Sequence, residues 1–129
     1  MKIKIEFFKD DLIDAIGAGV YEISISNAAG EVKPLYVGES VFVLVRCATH
    51  LFSLKSDPAY FGFTDESIND SRLTLSFRLY QAVEGKAERR RIETELVKEK
   101  QPLSQSCISD RQKGIEEKVQ ALNDFLYAK

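Results

Sequence analysis

Two tyrosines, an arginine, a histidine and a glutamate stand in this chain in an order that suits cleavage of a phosphodiester. Tyr21 closes Gly19-Val20-Tyr21, Tyr36 opens Tyr36-Val37-Gly38, Arg46 follows eight residues after Gly38, and His50 stands one helical turn further on. Much later Glu93 precedes Leu96-Val97-Lys98 and Pro102. A guanidinium holds a scissile phosphate and offsets the charge that develops on it. An imidazole accepts or relays a proton near neutral pH. A phenol, with an ordinary pKa of about 10, is a useful base only where a cation lowers it. A carboxylate, with waters and phosphate oxygens, holds a hard cation such as Mg²⁺. Together these groups outline a one-metal hydrolytic site.

Each residue also has a plainer explanation. On a helix from Lys86 to Lys100, Glu93 projects with Leu96 and Val97, whereas Glu88, Glu95 and Glu99 project away. An inward carboxylate is costly unless a cation or donors meet it, and for a lone one the ordinary partner is an arginine at the core rim. His50, the only histidine, would on its own be a core or surface filler. Tyr21 and Tyr36 would be packing residues of strands, and Arg46 a solvated helix residue. The basic triplet Arg89, Arg90 and Arg91 beside Glu93 reads either as a helix face laced with i,i+4 pairs or as a contact to a nucleic-acid backbone. Tyr60-Phe61-Gly62-Phe63 is better explained by core packing than by stacking on unpaired bases.

The elements that must position these groups follow from periodicity. Lys2–Phe7 alternates as a short strand, and Asp10 and Asp11 precede a brief helix through Leu12, Ile13 and Ile16. Val20–Ile25 and Pro34–Val37 form a hairpin across Asn27-Ala28-Ala29-Gly30. Ser40 is a good N-cap for a helix whose Val41, Leu44, Val45, Ala48, Leu51 and Phe52 fall on one face, at about 100° per residue. That helix projects Arg46 and His50 from the opposite face and starts just after Gly38, where backbone N–H groups favour an anion. Residues 53–70 read as a long loop with at most one short helix. Leu73–Val83 is a strand, Lys86–Lys100 a helix stopping before Pro102, and Asp110 opens a last helix striped by Ile115, Val119, Leu122 and Leu126.

The 129 residues fit one domain, 1–129, with a core that needs no disulfide or metal to form. Cys47 and Cys107 match no metal-ligand spacing. No signal peptide or membrane-spanning run is visible, so a cytoplasmic address with reduced thiols is expected. A net charge of −2 speaks against a nonspecific grip on nucleic acid, although a local basic cluster can coexist with it.

Gly19-Val20-Tyr21, Tyr36-Val37-Gly38, Arg46, His50, Glu93 and the tail from Leu96 to Pro102, with these intervals, resemble the GIY-YIG nuclease superfamily. The likeness is to the catalytic module of bacterial excision-repair incision nucleases and runs from Gly19 to Gln105. The resemblance implies an α+β fold: a small central three-stranded antiparallel sheet flanked by helices, with room for an extra N-terminal strand and a C-terminal helix near 110–127. It implies an endonuclease acting on nucleic acid, DNA foremost, in repair, restriction or a mobile element. One Mg²⁺ or Mn²⁺ ion would be held by Glu93, the phosphate by Arg46, and the water between Tyr21 and Tyr36 with His50 orienting or relaying. Gly38 and Gln105 would contribute to substrate binding, beside Arg89, Arg90 and Arg91. Three positions depart from the family pattern: Glu39 where lysine is common, Phe42 where a polar residue is common, and Gln105 where asparagine stands. Those departures keep open a module that binds nucleic acid or protein without cutting. The lack of a second recognition domain keeps open a site served by a separate recognition protein.

Overall fold

The computed structural model describes residues 1–105 and 113–127. Its strands are β1 (Lys4–Phe7), β2 (Gly19–Ser26), β3 (Val32–Ser40) and β4 (Thr74–Ala82). Its α-helices are α1 (Val43–Ser56), α2 (Lys86–Lys100) and α3 (Ile115–Tyr127), and short 3₁₀ turns span Asp14–Ile16, Pro58–Phe61 and Ser67–Asn69. The architecture is α+β, but the sheet is mixed and four-stranded, in the order β1-β4-β2-β3, which corrects the expected three-stranded antiparallel sheet. Strand β2 runs antiparallel to both β4 and β3, and β1 adds in parallel along β4 with Lys4 opposite Thr74. Aromatic packing fixes that addition: Phe7 lies 5.2 Å from Phe77 and meets Phe8 edge-on at 4.9 Å.

β2 is central, and its period of two distributes side chains between two cores. Tyr21, Ile23 and Ile25 enter the larger core with Leu35, Val43, Cys47, Leu54, Phe61, Phe63, Phe77 and Leu122. Val20 faces the other way, where Val37, Ile92, Leu96 and Val97 form a smaller core under α2. Glu22 shares that second face and is 2 % exposed. It pairs with Lys100 at 2.8 Å and Arg78 at 3.6 Å, and Ser24 donates to it at 3.2 Å. The β2–β3 turn is built by Asn27, whose side-chain oxygen accepts from the N–H groups of Ala29 and Glu31, while Gly30 takes φ +85.

β3 is an edge strand, and a following segment closes it. Leu103 and Ser104 donate backbone N–H groups to the carbonyls of Pro34 and Leu35. Gln105 then continues the ladder with its side chain: Oε1 accepts from Val37 N–H at 2.8 Å and Nε2 donates to Val37 O at 2.7 Å. A covered edge leaves no row of bare donors and acceptors for another strand.

Three sequence expectations shift here. The brief helix at Leu12–Ile16 is only a 3₁₀ turn, with Leu12, Ile13 and Ile16 exposed and Ala15 buried. The Asp11 carboxylate does not cap it but accepts from the Leu79 N–H at 2.9 Å. Helix α1 begins at Val43 and is rolled relative to the expected apolar face: Val43, Cys47, His50 and Leu54 are buried, while Val41, Phe42, Val45 and Phe52 are exposed. The stripe 43, 47, 50, 54 has helical spacing, so periodicity supports both faces; the phenols waiting in the sheet decide between them. The segment 53–70 holds the end of α1 and two 3₁₀ turns instead of at most one short helix. Its Phe61 and Phe63 pack in the core as expected, each contributing about 1.5–3 kcal/mol by burial. Helix α3 carries Leu122 and Leu126 into the main core, whereas Ile115 is exposed. Asp110 lies outside the described residues. Among the described residues no helix is long and apolar enough to cross a membrane.

Candidate active site

The two tripeptides are explained by a single contact. Tyr21 on β2 pairs with Gly38 on β3, and a Cβ at Gly38 would stand 2.3 Å from the Tyr21 hydroxyl oxygen. The Tyr21 ring therefore lies across position 38, which only glycine leaves open. Two residues back along β3, Tyr36 projects to the same face and stacks on Tyr21 with ring centroids 6.3 Å apart and 22° between planes. Gly19 is similarly confined, since a Cβ there would sit 2.6 Å from the Gln81 carbonyl oxygen of β4.

Helix α1 closes over these rings. His50 is fully buried, its Nε2 lies 2.7 Å from the Tyr21 hydroxyl, and its ring meets Tyr36 edge-on at 4.9 Å. On its far side Nδ1 lies 2.8 Å from the hydroxyl of Tyr60. Arg46, one turn before His50, is exposed, and its guanidinium bears on the Tyr21 hydroxyl as both charge and donor. Tyr21, Tyr36, Arg46 and His50 thus meet around one phenol.

Tyr60 comes from the 3₁₀ turn Pro58–Phe61. Asp57 caps that turn by accepting from the Ala59 N–H at 3.1 Å, and Gly62 ends it at φ +91. A Cβ on Gly62 would stand 2.4 Å from the Lys118 carbonyl oxygen, so α3 packs directly on the turn. The Lys118 ammonium donates to the Tyr60 carbonyl at 2.9 Å and lies 5.6 Å above the Tyr60 ring. Neither Tyr60 nor Lys118 carries a sequence signal for this role. Ten residues from His50 across a Pro-initiated turn, Tyr60 falls outside any helical or strand register.

Burial dominates the electrostatics. It pushes the Tyr21 phenol far above its ordinary value, with Tyr36 and Cys47 adding to the rise and Arg46 opposing it. Burial, seconded by the charge of Arg46, lowers His50 to about 3. Burial likewise raises the Cys47 thiol, leaving it protonated and inert beside the cluster. The resting centre is therefore a neutral phenol against a neutral imidazole, with one permanent positive charge at its mouth.

The remaining expected residues lie elsewhere. Glu93 is half-buried on α2, in the stripe shared by Arg89, Leu96 and Val97, on the sheet face opposite the tyrosines. Helix α2 packs chiefly on β3, the edge strand whose Gly38 adjoins Tyr21. Gln105 is 2 % exposed, and both ends of its amide are engaged by Val37, so it positions β3 instead of presenting its amide to a ligand. Arg89 is 3 % exposed; it wraps the carbonyls of Val83 and Glu84 and pairs with Glu39 at 3.4 Å. That burial removes it from the expected backbone contacts and also neutralises the reversed charge at Glu39. Arg91 pairs with Glu88 and with Glu95 at 2.9 Å, the solvated-face arrangement. Arg90 is exposed and belongs to neither set.

As a metal donor set, the chain offers the Glu93 carboxylate and, among the described residues, no group of three ligating side chains. Mg²⁺ and Mn²⁺ take one or two carboxylates and complete their shell with water and phosphate oxygen, and the carboxylate expected to hold one here stands across the sheet from the phenols. No protein-family model, curated protein or solved structure matches this chain.

Proposed function

We propose that the chain is a divalent-metal-dependent endonuclease of the GIY-YIG type that hydrolyses nucleic-acid phosphodiesters, with DNA as substrate. The observation that carries this reading is the convergence of Tyr21, Tyr36, Arg46 and His50 from two strands and a helix onto one phenol. Arg46, charged and exposed at the mouth, binds the phosphate and offsets its developing charge. Tyr21 holds its proton at neutral pH, so it activates a water only by passing that proton on as it takes one. Neutral His50 at 2.7 Å is the acceptor in reach. Tyr36, stacked on Tyr21, fixes the ring. A Mg²⁺ or Mn²⁺ ion, when bound, would supply Lewis-acid polarisation of the phosphate and acidify bound water; Glu93, the carboxylate the resemblance assigns to it, stands on α2 across the sheet from the phenols.

A second reading, a module that binds nucleic acid or protein without cutting, is favoured by the apolar side chains Val41, Phe42, Val45 and Phe52 exposed around Arg46. Plasmid nicking with and without Mn²⁺ separates the two. The nuclease reading expects ion-dependent nicking that Glu93→Ala and Arg46→Ala abolish with the circular dichroism of the fold retained. Absence of cleavage on supercoiled, branched and single-stranded DNA, with binding indifferent to Glu93→Ala, would replace it by the second.

A further inference from the structure

The orientation of hydrogens along the Arg46–Tyr21–His50–Tyr60 line follows from donor and acceptor chemistry. Arginine only donates, so the Tyr21 oxygen serves as its acceptor. Tyr21 is 1 % exposed, and a buried hydroxyl must place its own hydrogen on an acceptor. His50 Nε2 stands 2.7 Å away. If Nε2 accepts, a neutral imidazole must carry its hydrogen on Nδ1, and Nδ1 faces the Tyr60 oxygen at 2.8 Å. The opposite arrangement would put two donors, Arg46 and Nε2–H, on the Tyr21 oxygen and turn the Tyr21 hydrogen away from His50.

We infer that Tyr60 is a positioning residue: by accepting from His50 Nδ1–H it locks the imidazole in the Nδ1–H tautomer, turns Nε2 toward Tyr21, and provides the exit for a proton relay to solvent. The inference rests on the nuclease reading only for the origin of the proton. In that setting the attacking water gives a proton to the Tyr21 oxygen, and the Tyr21 hydroxyl gives its own to Nε2. Nδ1 then releases its proton to Tyr60, whose hydroxyl proton passes to water. One proton enters the line and one leaves, no group is left charged, and the imidazole ends as the Nε2–H tautomer. It returns to Nδ1–H when the line runs back: Nε2 gives its proton to the Tyr21 oxygen as Tyr21 releases one, and Nδ1 takes one from Tyr60 as Tyr60 takes one from water. Tyr60 is half-buried, less enclosed than His50 or Tyr21. The groups facing the imidazole are Tyr21 on β2, Tyr36 on β3, Arg46 on α1, and Tyr60 on its turn, with Lys118 of α3 behind Tyr60.

The chain has a single histidine, so the test needs no assignment. Two-bond ¹H–¹⁵N correlation of the imidazole, on the full chain at neutral pH without metal or DNA, reads which nitrogen bears the hydrogen. The expected result is one tautomer protonated at Nδ1 in the native chain, and in Tyr60→Phe a shift to Nε2–H or an exchanging mixture. Tyr60→Phe keeps the ring under Lys118 and beside Phe61, so the fold is retained. A native Nε2–H tautomer overturns the inference whatever the variant does. An Nδ1–H tautomer unmoved by Tyr60→Phe overturns it as well. Because the readout is a resonance and not a cut, it stands or falls separately from nicking. If nicking is present, Tyr60→Phe is further expected to slow it by about tenfold or more.

Discussion

Placing a methyl group at Gly38 tests the packing on which the centre depends. Ordinarily alanine is preferred to glycine inside a strand by about 0.5–1 kcal/mol. Here the new Cβ would lie 2.3 Å from the Tyr21 hydroxyl oxygen and 2.4 Å from its ring carbon Cζ, so the ring must swing away. It has little room, being walled by Tyr36 and His50 in a core that leaves it 1 % exposed. Overpacking of this kind costs about 1–3 kcal/mol, and separating Tyr21 from His50 strands a buried polar pair at about 1–3 kcal/mol more. Set against the gain in strand preference, Gly38→Ala is expected to destabilise the fold by about 3 kcal/mol. The decisive experiment is a double-mutant cycle in urea followed by circular dichroism, with Tyr21→Leu as the second substitution. In the leucine background the methyl meets neither ring nor hydroxyl, so Gly38→Ala becomes neutral or slightly stabilising, and a coupling of about 2 kcal/mol or more appears. Equal costs of Gly38→Ala in both backgrounds, or a loss under about 0.5 kcal/mol in the native one, would refute the reasoning.

Two other outcomes follow from the same geometry. His50 stays neutral in the fold while its unfolded counterpart titrates near 6.5. Its folded value is depressed, so its contribution is present above that pH and is lost on acidification toward about 3. Between pH 7 and pH 5 the native chain should lose about 2 kcal/mol that His50→Leu does not lose, read as the difference between their urea midpoints. Gln105→Leu keeps the bulk of the side chain but leaves the Val37 N–H and C=O without their partners. A loss of about 2–4 kcal/mol is expected, with faster hydrogen exchange at the Val37 amide; an unchanged exchange rate would dismiss the clamp.

Strands β2, β3 and β4, helix α2 and the inward turn of Glu93 are legible in the sequence because period and punctuation agree there. Helix α1 shows where such reading stops. Both of its faces have helical spacing, and of the face with more apolar residues Leu44 and Leu51 reach the core while Val41, Val45 and Phe52 stay exposed. What turns it is the pairing of His50 with two phenols, a contact between residues 29 and 10 positions apart that no local pattern carries. Gln105 and Arg89 misled for a related reason: a polar side chain that satisfies backbone groups looks, in sequence, like one that meets a ligand. The parallel docking of β1 depends on Phe7 meeting Phe77, again a long-range event. The spacing of Tyr21, Tyr36, Arg46 and His50 did bring them together, because each occupies a register position within an element whose period is readable.

Lys118 ties the chemistry to the order in which the chain is made. A polypeptide extended only as far as Gln105 already contains every strand, both stacked phenols, the imidazole and the clamp on Val37. It still lacks the ammonium that holds the Tyr60 carbonyl and the helix that seats against Gly62. During synthesis, then, the sheet can assemble well before the far wall of the histidine pocket exists. The centre reaches its finished form only when the last helix has emerged and docked.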